Sequence, residues 1–98
     1  MNLANNLNKK IKINPNDLSI LKVLSHPIRM QLVIFLIERN YSNVNTMAEH
    51  FEIPQSTVSQ HLTRLRERNI VNYERKGAEV YYSIDNPKVT AIIKILAD

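Results

Sequence analysis

Cysteine and tryptophan are absent from the 98 residues, and glycine occurs once. Without a thiol the chain has no disulfide, no thiolate metal site and no thiol redox sensor. A single glycine excludes the glycine-rich loops that cradle phosphates. Carboxylate pairs and nucleophile–base pairs are missing too, so no enzyme is expected. No apolar run approaches the roughly 18 residues of a membrane span. Met1 to Lys12 is rich in asparagine and lacks the apolar core of a secretory signal. Cytoplasmic placement is the simplest expectation, with no membrane and no cofactor implied.

What is present suffices for one domain. Hydrophobic residues make up 44% of the chain, too many for intrinsic disorder. A domain this small buries a modest fraction of its surface, so a dimer that adds apolar burial would be in keeping. Thirteen Lys and Arg against nine Asp and Glu give a net charge of +4. That total is compatible with an anionic partner. Its distribution says more. Between His61 and Lys76 stand Arg64, Arg66, Arg68, Arg75 and Lys76, opposed only by Glu67 and Glu74. A second basic cluster, Lys9, Lys10 and Lys12, lies near the N-terminus.

The most informative stretch runs from Ile53 to Arg68. Val58, Leu62 and Leu65 follow helical spacing and make one apolar stripe. Around them lie Gln55, Ser56, Thr57, Ser59, Gln60, His61, Thr63 and Arg64, with no acid before Glu67. An ordinary solvated helix face favours Glu and Lys in i,i+4 pairs. Short hydroxyls, amides and a guanidinium instead suit base edges and phosphate oxygens. The plainer reading is a surface helix that happens to be rich in Ser and Gln.

The remaining elements follow in order. Residues 1–14 form either a frayed arm or a short helix with Leu3, Leu7 and Ile11 on one side, docked on a partner. A first firm helix is expected over 16–24, with Leu18, Leu21 and Leu24 facing the core. Ser25-His26-Pro27 interrupts it, and Pro27 opens a second helix to Arg39. Its core side holds Ile28, Leu32, Phe35 and Leu36, widened by Val33, Ile34 and Ile37. Residues 40–43 are read as a loop. A short third helix over 45–52, capped by Asn45, carries Val44, Met47, Ala48 and Phe51. A tight turn, Glu52-Ile53-Pro54, leads into the 54–68 helix, which makes a helix-turn-helix without the usual turn glycine. Asn69 ends that helix in place of glycine. Two strand-like runs, Val71 to Lys76 and Val80 to Ile84, flank Gly77-Ala78 as a hairpin. Asp85-Asn86-Pro87 starts a last helix whose stripe is Val89, Ile92, Ile93 and Leu96, extended by Ile95. The fold class is therefore mainly α with a small β-hairpin, a winged helix-turn-helix of order α-α-α-α-β-β-α. It would occupy 15–98.

Three segments carry a family resemblance: L-S-H-P-I-R-M-Q-L-V at 24–33, I-P-Q-S-T-V-S-Q-H-L at 53–62 and V-Y-Y-S-I at 80–84. In this order and spacing the chain resembles the ArsR/SmtB family of winged helix-turn-helix transcriptional repressors, over about Leu18 to Leu96. With no cysteine it is most similar to the metal-independent members of the PagR and HlyU kind. The resemblance implies a homodimer through the first and last helices. It implies that 54–68 is the recognition helix, with Gln55, Ser56, Thr57, Ser59, Gln60 and His61 facing the major groove. Arg64 would reach groove or phosphate, and Arg75 and Lys76 would lie at the wing tip over phosphate or the minor groove. The chain departs from the family in two places. Many members have Ser where this one has Pro54, which removes a capping hydroxyl, and many have His or another residue where it has Gln60.

Metal sensing is well known in that family, and the residues here do not favour it. The helix before the turn lacks the Cys-x-Cys site, and the last helix has neither His nor an acid before Asp98. His26, His50 and His61 lie on three separate elements without zinc-motif spacing. His26, just before Pro27, reads as structural. His61 is either a base or phosphate contact or a partly exposed polar residue, and the fold context favours the contact. Arg29 either touches phosphate or braces the fold. One of Tyr81 and Tyr82 is expected to pack inward. Lys9, Lys10 and Lys12 read as a solvated arm. The function expected is that of a sequence-specific regulator of transcription, a homodimeric repressor on an inverted repeat in promoter DNA that does not respond to metal. The rival is a winged-helix protein–protein module with only non-specific DNA affinity. Control by a regulatory protein partner stays open.

Overall fold

The structure, a computed structural model, describes residues 12–97. The 1–11 stretch of the expected arm, with Leu3, Leu7, Ile11, Lys9 and Lys10, lies outside the described residues. The elements are α1 (Pro15–Leu24), α2 (Pro27–Arg39), β1 (Tyr41–Asn43), α3 (Val44–Phe51), α4 (Gln55–Glu67), β2 (Asn72–Lys76), β3 (Glu79–Ser83) and α5 (Pro87–Leu96). The winged helix-turn-helix is present, and among the described residues no single helix is long and apolar enough to cross a membrane.

Local chemistry sets the helix starts. Proline occupies the first helical position of α1, α2 and α5, where its missing N–H is no loss. A side chain caps each of these: Asn14 accepts from the Asn16 N–H at 2.8 Å, His26 Nδ1 from Ile28 at 3.1 Å, and Asn86 from Lys88 at 3.0 Å. The third helix is capped by Asn43, which accepts from the Thr46 N–H at 2.8 Å, and not by Asn45 as expected. Asn43-Val44-Asn45 offers two caps one residue apart, and the end of β1 fixes Asn43 in the extended conformation a cap needs. The fourth helix, expected over 54–68, runs from Gln55 to Glu67 with Pro54 as its N-cap residue and no side-chain cap, as the missing hydroxyl foretold.

Residues 40–43, read as a loop, contain a third strand. The sheet is antiparallel in the order β1-β3-β2, with Tyr41 and Asn72 both paired to Ser83 and Lys76 paired to Glu79 at the tip. A three-residue strand is too short to show a period of two, and only its partner β3 defines it. Gly77 opens the two-residue turn with φ +65°, a value that suits glycine.

The core is built where the α2, α3 and α4 stripes meet. Leu32, Val33, Met47, Val58, Leu62 and Leu65 are fully buried, each stabilising the fold by about 1.5–3 kcal/mol relative to exposure. Two stripes differ from expectation. On α1 the buried residues are Ile20 and Leu24, while Leu18 and Leu21 stay 44% and 45% exposed. On α5 Val89 and Ile93 are buried, Ile92 is half-buried, and Ile95 and Leu96 are 81% and 68% exposed. Both helices carry apolar residues on more than one side, and helical spacing alone cannot say which side meets this chain's own core. Tyr82 is the wing tyrosine that packs on the core.

Candidate nucleic-acid interface

The helix-turn-helix is held by two C-terminal caps of the same kind. Glu52 adopts the left-handed conformation (φ 55°, ψ 45°), with its N–H bonded to the Glu49 carbonyl and the Ile53 N–H to that of Ala48. After α4, Asn69 takes φ 58°, and the N–H groups of Asn69 and Ile70 bond to the carbonyls of Arg66 and Leu65. These are Schellman closures. Glu52 fills the role of the missing glycine, at a cost of about 1 kcal/mol for a β-carbon in that region. The Gln55 amide also donates to Asn45 Oδ1, tying the start of α4 to α3.

With Val58, Leu62 and Leu65 fixed inward, the rest of α4 must face out. Gln55, Ser56, Ser59, Gln60, Thr63 and Arg64 are exposed, and Thr57 and His61 are half-buried on its flank. Thr63 donates to the Ser59 carbonyl at 2.9 Å, so its hydroxyl is turned back on the helix. Arg75 and Lys76 are exposed at the end of β2 beside Gly77. Lys76 Nζ lies 5.8 Å from the Tyr41 ring and 6.0 Å from the Tyr81 ring, a loose aromatic seat on the sheet behind the tip. Tyr81 donates to Glu79 at 2.5 Å, and this bond to a carboxylate raises its phenol pKa above the usual value.

The sequence-predicted residues thus fall into two groups, the α4 face and the wing tip. Arg66, expected with Arg64, Arg75 and Lys76 as a phosphate contact, is exposed and engaged on the wing. Its guanidinium lies 3.8 Å over the Tyr73 ring and donates to the Tyr73 hydroxyl at 3.0 Å, joining α4 to β2.

Arg29, left open between phosphate contact and brace, makes brace contacts. Its Nε donates to the Val23 carbonyl at 2.6 Å, one of the orphan carbonyls at the end of α1. Its Nη1 lies 3.3 Å from His61 Nδ1. The His26 and His61 rings, far apart in sequence, sit 4.6 Å apart centroid to centroid. Arg29, Gln60, His61, Thr63, Arg64 and Glu67 line one open, polar concavity on the α4 side. Burial, then the charges of His26, Arg29 and Arg64, hold the His61 pKa below 6.5. Among the described residues no three metal-ligating side chains come together.

Comparison with known proteins agrees with this geometry. The family described as bacterial regulatory protein, arsR family, matches residues 26–73. The chain is 43% identical over 81 residues to the transcriptional repressor PagR of Bacillus anthracis, covering 83% of this chain and 81% of that one. It is 36% identical over 78 residues to the biofilm growth-associated repressor of Xylella fastidiosa, covering 80% and 68%. It is 30% identical over 91 residues to the transcriptional activator HlyU of Vibrio cholerae, covering 93% and 83%. The crystal structure of PagR superposes with a TM-score of 0.77, covering 83% of this chain and 92% of that one.

Proposed function

The chain belongs to the arsR family of bacterial regulatory proteins, and from that premise we propose that it is a homodimeric transcriptional repressor that binds an inverted repeat in promoter DNA. The observation that carries this is the exposed face of α4, free of acids from Gln55 to Arg66, beside a basic wing tip. Gln55, Ser56, Thr57, Ser59, Gln60 and His61 read bases from the major groove, because uncharged donors and acceptors match base edges. Arg64, Arg75 and Lys76 meet phosphates and set the register. Repression is favoured over activation because the two relatives of higher identity bear the name of repressors. The protein–protein reading has no such support, and a protein-interface core would be richer in aromatics and Met than the α4 face.

The exposed apolar residues of α1 and α5 support the dimer. Ile20, Leu21, Ala91 and Ile92 line an apolar groove between these helices, and the Lys88–Asp17 ion pair at 2.9 Å lies beside it. Covering Leu18, Leu21, Ile95 and Leu96 with the same surface of a second copy removes apolar area from water on both. Selection of duplexes from a random-sequence library by the purified protein tests the proposal. Enrichment of an inverted repeat with half-site centres about 34–36 Å apart is expected. Enrichment of a single half-site, or of nothing, would overturn it.

A further inference from the structure

Arg29 is not among the residues proposed to meet DNA, yet it touches the one ring on the α4 face. A guanidinium has only donors, so where its Nη1 approaches His61 Nδ1 that nitrogen must be the acceptor. A neutral imidazole that accepts at Nδ1 carries its proton on Nε2. Among the described residues Nε2 has no hydrogen-bond partner, and the ring borders the open concavity beside Gln60 and Arg64. Arg29 itself is immobilised at its other end by the Val23 carbonyl, so its orientation is set by the end of α1.

We propose that Arg29 is a positioning residue for sequence reading: it locks His61 as the Nε2–H tautomer, so that the ring presents a neutral donor to a base-edge acceptor such as guanine N7 or O6. This rests on the reading of α4 as the DNA-facing helix. Arg29 acts through His61 and does not itself reach DNA. The surroundings favour the neutral ring. Burial, His26 from the segment before α2, Arg29 from α2 and Arg64 from α4 all oppose its protonation, and Glu67 is the one carboxylate lining the same concavity. His26 takes part in the same arrangement, because its own Nδ1 is occupied by the Ile28 N–H. An added proton on the His61 Nδ1 would set donor against donor.

Two measurements on the full chain test this. The first is the imidazole ¹⁵N spectrum of the free protein near neutral pH, with the His61 signals assigned by their loss in His61→Gln. The Nε2–H tautomer is expected at His61, giving way to a mixture in Arg29→Lys, which keeps the charge but cannot bond Val23 and His61 together. An Nδ1–H tautomer, or a tautomer unchanged in Arg29→Lys, overturns the proposal. The second uses the duplex that the protein selects from the random library, against a scrambled one. Arg29→Lys and His61→Gln should each lower the specific-to-scrambled affinity ratio about tenfold, as expected for one lost hydrogen bond. The double variant should lose no more than either alone, and the salt slope should not change. Equal loss on both duplexes, or a slope reduced by about one as for a direct phosphate contact, overturns the positioning role. If wild-type protein selects no duplex, the repressor reading falls and this proposal with it. If it selects one and Arg29→Lys binds it like wild type, only this proposal falls.

Discussion

The guanidinium carbon of Arg66 lies 3.8 Å from the centre of the Tyr73 ring and makes a direct tie between α4 and the wing. The contact joins the proposed recognition helix to the first strand of the hairpin. A double-mutant cycle with Arg66→Ala and Tyr73→Ala should give a coupling of about 0.5–1 kcal/mol in chemical denaturation, the usual size for an exposed cation–π pair. Because Arg66 is engaged on Tyr73, Arg66→Ala should leave the salt dependence of DNA binding unchanged. A zero coupling would mean the contact does not persist in solution.

Gln60 stands in the middle of the exposed α4 face, and its amide can donate and accept at once. Gln60→Ala should reduce discrimination between the selected duplex and a scrambled one by about 1–3 kcal/mol, if the amide makes a bidentate contact. Competition binding reads this directly. Parallel weakening on both duplexes would take Gln60 out of base reading.

Lys76 carries charge to the wing tip without a base-reading shape. Lys76→Ala should weaken binding to every duplex and reduce the slope of log K against log salt by about 0.9, the value for one phosphate. A titration at four or five salt concentrations is enough. An unchanged slope would remove the wing tip from the DNA contacts.

Ile95 is 81% exposed on α5, an unfavourable place for a large apolar side chain in a monomer. Ile95→Glu should convert the protein from dimer to monomer in sedimentation velocity, because it sets two carboxylates near each other in an apolar interface. Binding to a full inverted repeat should fall far more than binding to a single half-site. A variant that remains dimeric would place the interface elsewhere.

Much of this was legible in the sequence where the information is local. The Val58-Leu62-Leu65 stripe fixed which side of α4 is buried, and Pro54 announced a helix start without a cap. Pro27 and Asn69 marked element ends at the residues where they fall. What was not legible is non-local. Tyr41–Asn43 is a strand only because β3 lies beside it. Leu18 and Leu96 obey helical spacing as well as Ile20 and Ile93 do, and only packing decides which pair enters the core. The meeting of His26, Arg29 and His61 joins the end of α1, the start of α2 and the middle of α4, and no spacing rule relates residues 32 positions apart.

The proposed function stands or falls on whether the α4 face reads sequence. Fluorescence anisotropy tests it most directly, with the purified protein titrated onto DNA from upstream of its own reading frame and onto a scrambled duplex, at several salt concentrations. A dimer that prefers the upstream duplex by about 10³-fold or more, the lower range for specific regulators, is expected. Equal binding to both duplexes, falling steeply and in parallel with salt, would contradict it and leave only a basic winged helix.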